Sequence, residues 1–360
     1  MNNLTGILTF INTLNYGAEL QAYALQRFVS LLGYNVELIN YICPSVSQRE
    51  TPRLLDFSSL SNPKHFIGQF MKYPELKQRA KGFERFTNNR IRLGTEVNSS
   101  SDILNRYDRV IVGSDQVWCT QITGGDLTYI LEGKHHTDQR IISYAASFGD
   151  KAFQSNYFDH FSDALSRFDA LSVREKHGAE ILSTLGISNA VVSIDPTLLL
   201  DKVEWERLIT RRAATPRRYV LAYIVSERDQ TIRYAKQAAD KINADLIYID
   251  AYSARPIFGA RNLGTASPDE FVSLIHDAEY VFTSSFHGLC FSVLFNKQFR
   301  YSLSAKKHNS SLYNLASQLG LERYDINNTN MSDQIDYTET NSRLVHLREE
   351  SSDYLVQALA

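Results

Sequence analysis

Cysteine is scarce in this 360-residue chain: Cys43, Cys119 and Cys290 stand far apart, odd in number and without a Cys-x-x-Cys pair. That spacing argues against a disulfide framework or a thiolate zinc site and for a reducing compartment. Net charge is nearly absent as well, −2 from 38 Lys plus Arg against 40 Asp plus Glu, which gives no support to a general nucleic-acid role. No apolar run approaches the length needed to span a bilayer. The opening Met1-Asn-Asn-Leu-Thr-Gly-Ile7 has neither the basic region nor the apolar core of a signal peptide, so the expected location is the cytoplasm. The dinucleotide fingerprint Gly-x-Gly-x-x-Gly is missing too, because the first loop holds a single glycine, Gly17. His135 and His136 are adjacent, and neighbouring positions do not make a chelating pair on a helix or a strand, so no metal role is expected of them.

What is present is an ordinary soluble composition, 43% hydrophobic and 22% charged, over a length that suits two domains or one large one. Gly6–Ile11 reads as a buried strand, residues 12–17 as a turn-rich loop, and Leu20 to Leu32 as a broad helical stripe stopped by Gly33. Val36–Tyr41 is the next strand, so the chain opens with a βαβ unit whose first loop points Asn15 and Tyr16 towards a crevice. Residues 44–63 carry Pro44, Pro52 and Pro63 among serines, as a loop or lid would. From Lys64 to Arg92 eight Lys or Arg face two Glu, interleaved with aromatics, and helical segments broken near Pro74 are expected. Such a stretch can be a solvated helix pair over the core or a peripheral contact with an anionic membrane surface.

Arg109–Gly113 is a buried strand that ends in Ser114-Asp-Gln-Val-Trp118, gathering a carboxylate, an amide and an indole at its carboxyl end. Asp115 and Gln116 suit sugar hydroxyls, while Asp115 could equally cap a helix and Trp118 could equally pack in the core. Ile141–Gly149 repeats the pattern, and Phe168–Glu175 ends a strand on Arg174. A guanidinium there either grips a carboxylate or phosphate or ties neighbouring loops by a salt bridge. A connector rich in arginine, Asp201–Arg218, separates this series from a second one: strands over 219–225 and 245–250, and a helix opened by the capping box Ser267-Pro-Asp-Glu270. The expected division is 1–200, with a lid and basic helical insertion at about 44–100, then 217–340, then a terminal helix at 341–360.

The second series culminates in Tyr280–Thr283, a buried strand, followed by Ser284-Ser-Phe-His-Gly288 and an apolar helix. That order puts His287 at a helix start, where unpaired amides and the macrodipole favour anions, and at the carboxyl end of a strand, where open α/β sheets bind ligands. A titratable imidazole there can contact an anion and move a proton.

With these segments in place the chain resembles the polysaccharide pyruvyl transferase family over most of its length. The resemblance is carried, in shared order, by Asn15-Tyr-Gly-Ala-Glu-Leu-Gln-Ala-Tyr-Ala-Leu-Gln26, Val112-Gly-Ser-Asp-Gln-Val-Trp118, Ser143-Tyr-Ala-Ala-Ser-Phe-Gly149, Ser172-Val-Arg-Glu175, Asp195-Pro-Thr-Leu-Leu199, Ser267-Pro-Asp-Glu-Phe271 and Thr283-Ser-Ser-Phe-His-Gly288. It implies an α/β fold of two Rossmann-like domains facing across a cleft, similar to GT-B glycosyltransferases. It also implies transfer of a pyruvyl group from phosphoenolpyruvate to hexose hydroxyls as a ketal, in a surface polysaccharide or its precursor. Phosphoenolpyruvate would be a co-substrate, with no further cofactor and no metal.

By position His287 resembles the family's catalytic or donor-contacting histidine, and Arg174 an arginine that grips the donor. Ser284, Ser285 and the amides near Gly288 would complete the donor side, with Lys306 or Lys307 supplying charge where Ser311 replaces an arginine common among members. Ile11 and Cys119 also depart from the family's usual histidine and asparagine. Asn15, Tyr16, Asp115 and Gln116 form the acceptor side, with Asp115 a candidate base. Two other readings compete: a GT-B glycosyltransferase using a nucleotide-sugar, with Glu270 on ribose and Phe286 under a base, and a non-catalytic glycan-binding protein.

Overall fold

The apolar runs of the sequence become the central strands of two parallel sheets. The computed structural model describes residues 3–51, 63–133, 138–150, 152–303, 311–328 and 333–360. In the N-terminal unit the strands are β1 (Leu4–Leu8), β2 (Asn35–Asn40), β3 (Leu93–Glu96), β4 (Arg109–Val112), β5 (Arg140–Ser143) and the short pair β6 (Ser172–Val173) and β7 (Val191–Val192). In the C-terminal unit they are β8 (Tyr219–Ile224), β9 (Asp245–Asp250), β10 (Ala260–Asn262), β11 (Tyr280–Thr283) and β12 (Gln298–Tyr301). The first sheet runs β3-β2-β1-β4-β5 and the second β10-β9-β8-β11-β12. Position for position these are the same order, the doubly wound one, in two Rossmann-like units. Ile7, Val110 and Ile111 in one sheet and Val220, Leu221 and Val281 in the other are fully buried, as strands covered by helices on both faces must be.

Each sheet reverses its strand order between its first and fourth strands in chain order: β1 beside β4, and β8 beside β11. A crevice opens beyond the carboxyl ends of such a pair. The loops that leave β1 and β11 each start a helix, Tyr16–Leu31 and Phe286–Leu294, capped by the side chains of Asn15 and Ser285. The capping box read at Ser267 and Glu270 is present. The terminal helix, Tyr337–Leu359, crosses back to the N-terminal unit, where Tyr354 donates to the Ser143 carbonyl and Arg140 donates to that of Ala358.

The basic aromatic stretch differs from expectation. It is one 28-residue helix, Pro63–Arg90, that passes through Pro74 without breaking. A proline inside a helix costs about 3 kcal/mol, and docking on both sides of it offsets that cost here. Lys72 Nζ donates to the carbonyls of Asp250 and Ser253 and pairs with Glu75, and Arg79 donates to the Gly264 carbonyl and also pairs with Glu75. Two of the eight cations are thereby buried against the C-terminal unit. Of the lid, Pro44–Glu50 is a short helix, and 52–62 falls outside the described residues.

The two units meet on Tyr16. Its ring stacks on Phe271 at 4.4 Å, touches Phe83 and Tyr223, and its hydroxyl donates to the Ala266 carbonyl. Replacing Tyr16 by Ala should therefore cost about 3–5 kcal/mol in urea unfolding, and Tyr16→Phe, which removes only the hydroxyl, about 1 kcal/mol. Equal and negligible effects would show that this contact does not hold the units together.

Candidate active site

Both reversal points open on one cavity of about 400 Å³ between the units. From the N-terminal side it receives Asn15 after β1, Asp115 and Gln116 after β4, and Arg174 after β6; from the C-terminal side Ser284, Ser285 and His287 after β11. Sequence motifs more than a hundred residues apart thus share one wall-to-wall space.

Behind the lining residues Arg174 and His287 lies Asp195, 1% exposed. Its Oδ1 accepts from the Thr197 amide and hydroxyl, and its Oδ2 accepts from Arg174 Nη1 at 3.1 Å. Burial alone would push this carboxyl up, but His287, Arg174 and the Thr197 amide overcome it and hold Asp195 ionised, well below the usual carboxylate range. Arg174 is likewise buried. Desolvation works against its charge, yet Glu175, Asp195 and Asp115 outweigh that and fix the guanidinium as a cation. Its Nε donates to Glu175, Asp115 lies 4.0 Å from Nη1, and the plane rests over the Phe286 ring at 4.6 Å. Arg174 is therefore a salt-bridge hub, one of its two sequence readings, and it also lines the cavity.

His287 is the second residue of the helix Phe286–Leu294 and lines the same cavity. Its Nε2 is 3.5 Å from Asp195 Oδ2, too far for a well-formed hydrogen bond, and has no hydrogen-bond partner among the described residues. The Nδ1 edge faces the first helix across the interface. A Cβ on Gly17 would sit 1.9 Å from Nδ1, so only glycine fits beneath this ring.

Other expected site residues take quieter places. Tyr16, expected on the acceptor side, is sealed in the interface core with its hydroxyl committed to Ala266, because the first helix turns that ring away from the cavity. Asn15 lines the cavity, but its Oδ1 accepts from the Gly17 amide as the helix cap. Ser284 accepts from the amides of Val225 and Ser226 and donates to the Ser226 carbonyl, tying the end of β8 to that of β11. The Gly288 amide is taken by Ser285, which leaves the Phe286 and His287 amides as the open start of the helix. Asp115, in a left-handed conformation at φ 73°, accepts from the Gln116 amide. Trp118 is core, its indole donating to the Tyr129 carbonyl. Lys306 and Lys307, like His135 and His136, lie outside the described residues. Among the described residues no group of three or more His, Cys, Asp or Glu could hold a metal ion, and no helix is long and apolar enough to cross a membrane.

Four residues were not singled out from the sequence. Asp195 had a usable signal, since it precedes Pro196 as a helix cap within a family motif. Glu175, next to Arg174, accepts from Arg174, Ser147 and Ser311. Ser311, in place of the expected arginine, thus contributes a hydrogen bond to Glu175 and no charge. Glu19 and Glu50 accept from the Thr13 and Leu14 amides and so brace the loop before the first helix. Glu19 is fully buried, and desolvation pushes it up to about 7.

Two doubly wound units whose reversal points share a charged interdomain cavity define an enzyme-like architecture of the GT-B type. The chain belongs to the polysaccharide pyruvyl transferase family, whose sequence profile matches residues 15–303. A search of curated proteins returns no match. Among solved structures the chain is similar to a UDP-N-acetylglucosamine 2-epimerase from Rickettsia bellii, at 10% identity, TM-score 0.43, covering 99% of this chain and 96% of that one. It is similar to a putative UDP-N-acetylglucosamine 2-epimerase from Listeria monocytogenes at 11% identity, TM-score 0.47, covering 99% and 91%. It is also similar to a glycosyltransferase from Streptomyces nogalater at 12% identity, TM-score 0.38, covering 99% and 98%. Likeness at that level describes a shared outline only; family membership supports polysaccharide pyruvyl transfer in general terms.

Two outcomes test the site's geometry. Gly17→Ala should displace the His287 ring and lower activity at least as much as His287→Asn, while thermal unfolding stays cooperative; wild-type activity in Gly17→Ala would remove the constraint. For Glu19, the folded value lies above the ordinary 4.5, so its ionisation costs stability as pH rises from 4.5 to about 7. Glu19→Gln should flatten that slope, recovering up to about 3 kcal/mol at pH 8 in urea titrations, on about 1.4 kcal/mol per pKa unit. An unchanged slope would mean Glu19 is not the titrating group.

Proposed function

We propose that the chain transfers the pyruvyl group of phosphoenolpyruvate to two hydroxyls of a hexose, forming a cyclic ketal in a surface polysaccharide or its precursor. The observation that carries this reading is that His287, with an unpartnered Nε2, and Arg174 line one interdomain cavity, with Asp195 paired to Arg174 behind them. His287 gives a proton to the donor's methylene carbon, which becomes a methyl group and leaves an oxocarbenium-like centre at the neighbouring carbon. The first sugar hydroxyl attacks that carbon and loses its proton to a base. The carbon–oxygen bond to phosphate then breaks, and the second hydroxyl attacks with loss of its own proton. Of the two hydroxyl protons one balances the methyl group and the other leaves with inorganic phosphate.

Asp195 acts through His287: its Oδ2 lies 3.5 Å from Nε2 and orients the ring for the first step. Asp115, at the cavity wall and within 4.0 Å of Arg174, is the base we assign to the attacking hydroxyl. Charge is the demanding part. The described cavity wall carries Arg49 and Arg174 against Glu50, Asp115 and Asp150, so a multiply charged donor finds no simple excess of cations there. Neutralisation falls to the Arg174 edge not engaged by Glu175 and Asp195 and to the open amides of Phe286 and His287. Leu303 and Ser311 also line the cavity, and between them in sequence stand Lys306 and Lys307, which we retain as donor candidates. The nucleotide-sugar alternative loses its ribose ligand here: Glu270 accepts from the Ser267 amide and does not line this cavity.

The deciding experiment incubates the protein with phosphoenolpyruvate and sugars carried on nucleotide, lipid or glycan. Phosphate release matched by the pyruvate-ketal mass gain on the acceptor is the expected result. His287→Asn should lower the rate by about 10²–10⁴-fold, the range for a lost general acid. Phosphate release without ketal, or full rate in His287→Asn, would overturn the assignment.

A further inference from the structure

A second concavity, about 670 Å³, opens between the long helix Pro63–Arg90 and the C-terminal unit, and it shares no lining residue with the reaction cavity. Lys77, Lys81 and Arg85, four residues apart, line it from one face of that helix. Arg211 enters from the connector between the units and Arg261 from β10. The single carboxylate, Glu270, is committed to the Ser267 amide and hydroxyl.

These cations differ from others on the same helix. Lys72 and Arg79 are paired with Glu75, and Arg90 donates to Thr210. Lys81, Arg85, Arg211 and Arg261 have no hydrogen bond or ion pair among the described residues. Lysines and arginines at four-residue spacing repel one another and weaken their helix, so the arrangement is not explained by stability. Cations of one sign on facing walls of a concave site concentrate the field on whatever anion enters.

We propose that this groove binds a diphosphate-bearing ligand. Its positive charge comes from three separate segments on opposing walls, so an occupant must offer negative charge to more than one wall. Two linked tetrahedral phosphates do so, meeting lysine ammoniums as point charges and arginine forks in pairs. The volume exceeds what pyrophosphate alone fills, and Ala213 and Leu263 give it an apolar margin, so an organic group is attached. A nucleoside diphosphate and an isoprenoid lipid diphosphate share this chemistry. One layer separates the groove from the reaction cavity: Ala266 lines the groove, Tyr16 donates to its carbonyl, and Tyr223, packed on Tyr16, lines the cavity. The inference does not depend on the pyruvyl-transfer chemistry.

Calorimetric titration of the full chain with sodium pyrophosphate, UDP and farnesyl diphosphate tests it. Pyrophosphate should bind with an affinity that falls as salt rises, and Lys81→Gln with Arg261→Gln should weaken it about tenfold or more, the scale of one lost charge-assisted contact. Arg211→Gln, in the exposed connector, serves as a second variant if the double one fails to fold. Tighter binding of UDP or of farnesyl diphosphate than of pyrophosphate assigns the nucleotide or the lipid source. Absence of pyrophosphate binding, affinity unchanged by the groove variants, affinity lost instead in Arg174→Lys, or binding of an anionic polysaccharide alone would each overturn the proposal.

Discussion

A carboxylate kept ionised in a dry interior is the constraint on which this site rests. Asp195 has almost no contact with water, and an isolated charge there would be strongly disfavoured. The structure resolves this by giving both oxygens partners: Thr197 on one side, Arg174 on the other. Arg174 in turn needs Glu175, and Glu175 is held by Ser147 and Ser311. Removal of Arg174 would strand two buried carboxylates, so the network fixes its own geometry and with it the surroundings of the His287 ring that faces Asp195 from the opposite unit.

That ring is supported from two directions. A helix start on the C-terminal unit carries it, and the first helix of the N-terminal unit approaches so closely that no side chain fits between. The loop ahead of that first helix is braced by two carboxylates that accept backbone amides, Glu19 and Glu50, so the surface against which the imidazole packs is rigid. Nearby, the Tyr16–Phe271 stack closes the interface and separates the interdomain cavity from the basic groove. The groove and the cavity differ in their electrostatics: cations dominate the lining of one, while the other sets Arg49 and Arg174 against Glu50, Asp115 and Asp150.

Much of this was legible in the sequence because it is local. Short apolar runs became strands, the Ser267–Glu270 capping box is present, and a histidine in a serine-rich turn does start a helix at the carboxyl end of a strand. What escaped is set by distance in the chain. Tyr16 reads as a loop residue near a crevice, and only packing against Phe271, some 250 residues on, turns it into core. Pro74 reads as a break, and only the anchors of Lys72 and Arg79 on the other unit show why the helix continues. Asp195 enters the sequence reading only as part of a shared motif; it caps the helix that follows, and its second oxygen acquires a role through Arg174 and His287, neither of which is a sequence neighbour. The equal strand order of the two sheets leaves no trace of repetition in the residues, because topology constrains only the pattern of burial.

The division of labour between the halves has a consequence for the molecule's history and handling. The imidazole belongs to one gene segment and its carboxylate partner to another, and the last helix reaches back across both to rejoin the first sheet. Neither half carries both the imidazole and the carboxylate, and the terminal helix is bonded to the amino-terminal sheet. Splitting the two pieces would part the imidazole from the carboxylate and strip the first sheet of the helix docked on it.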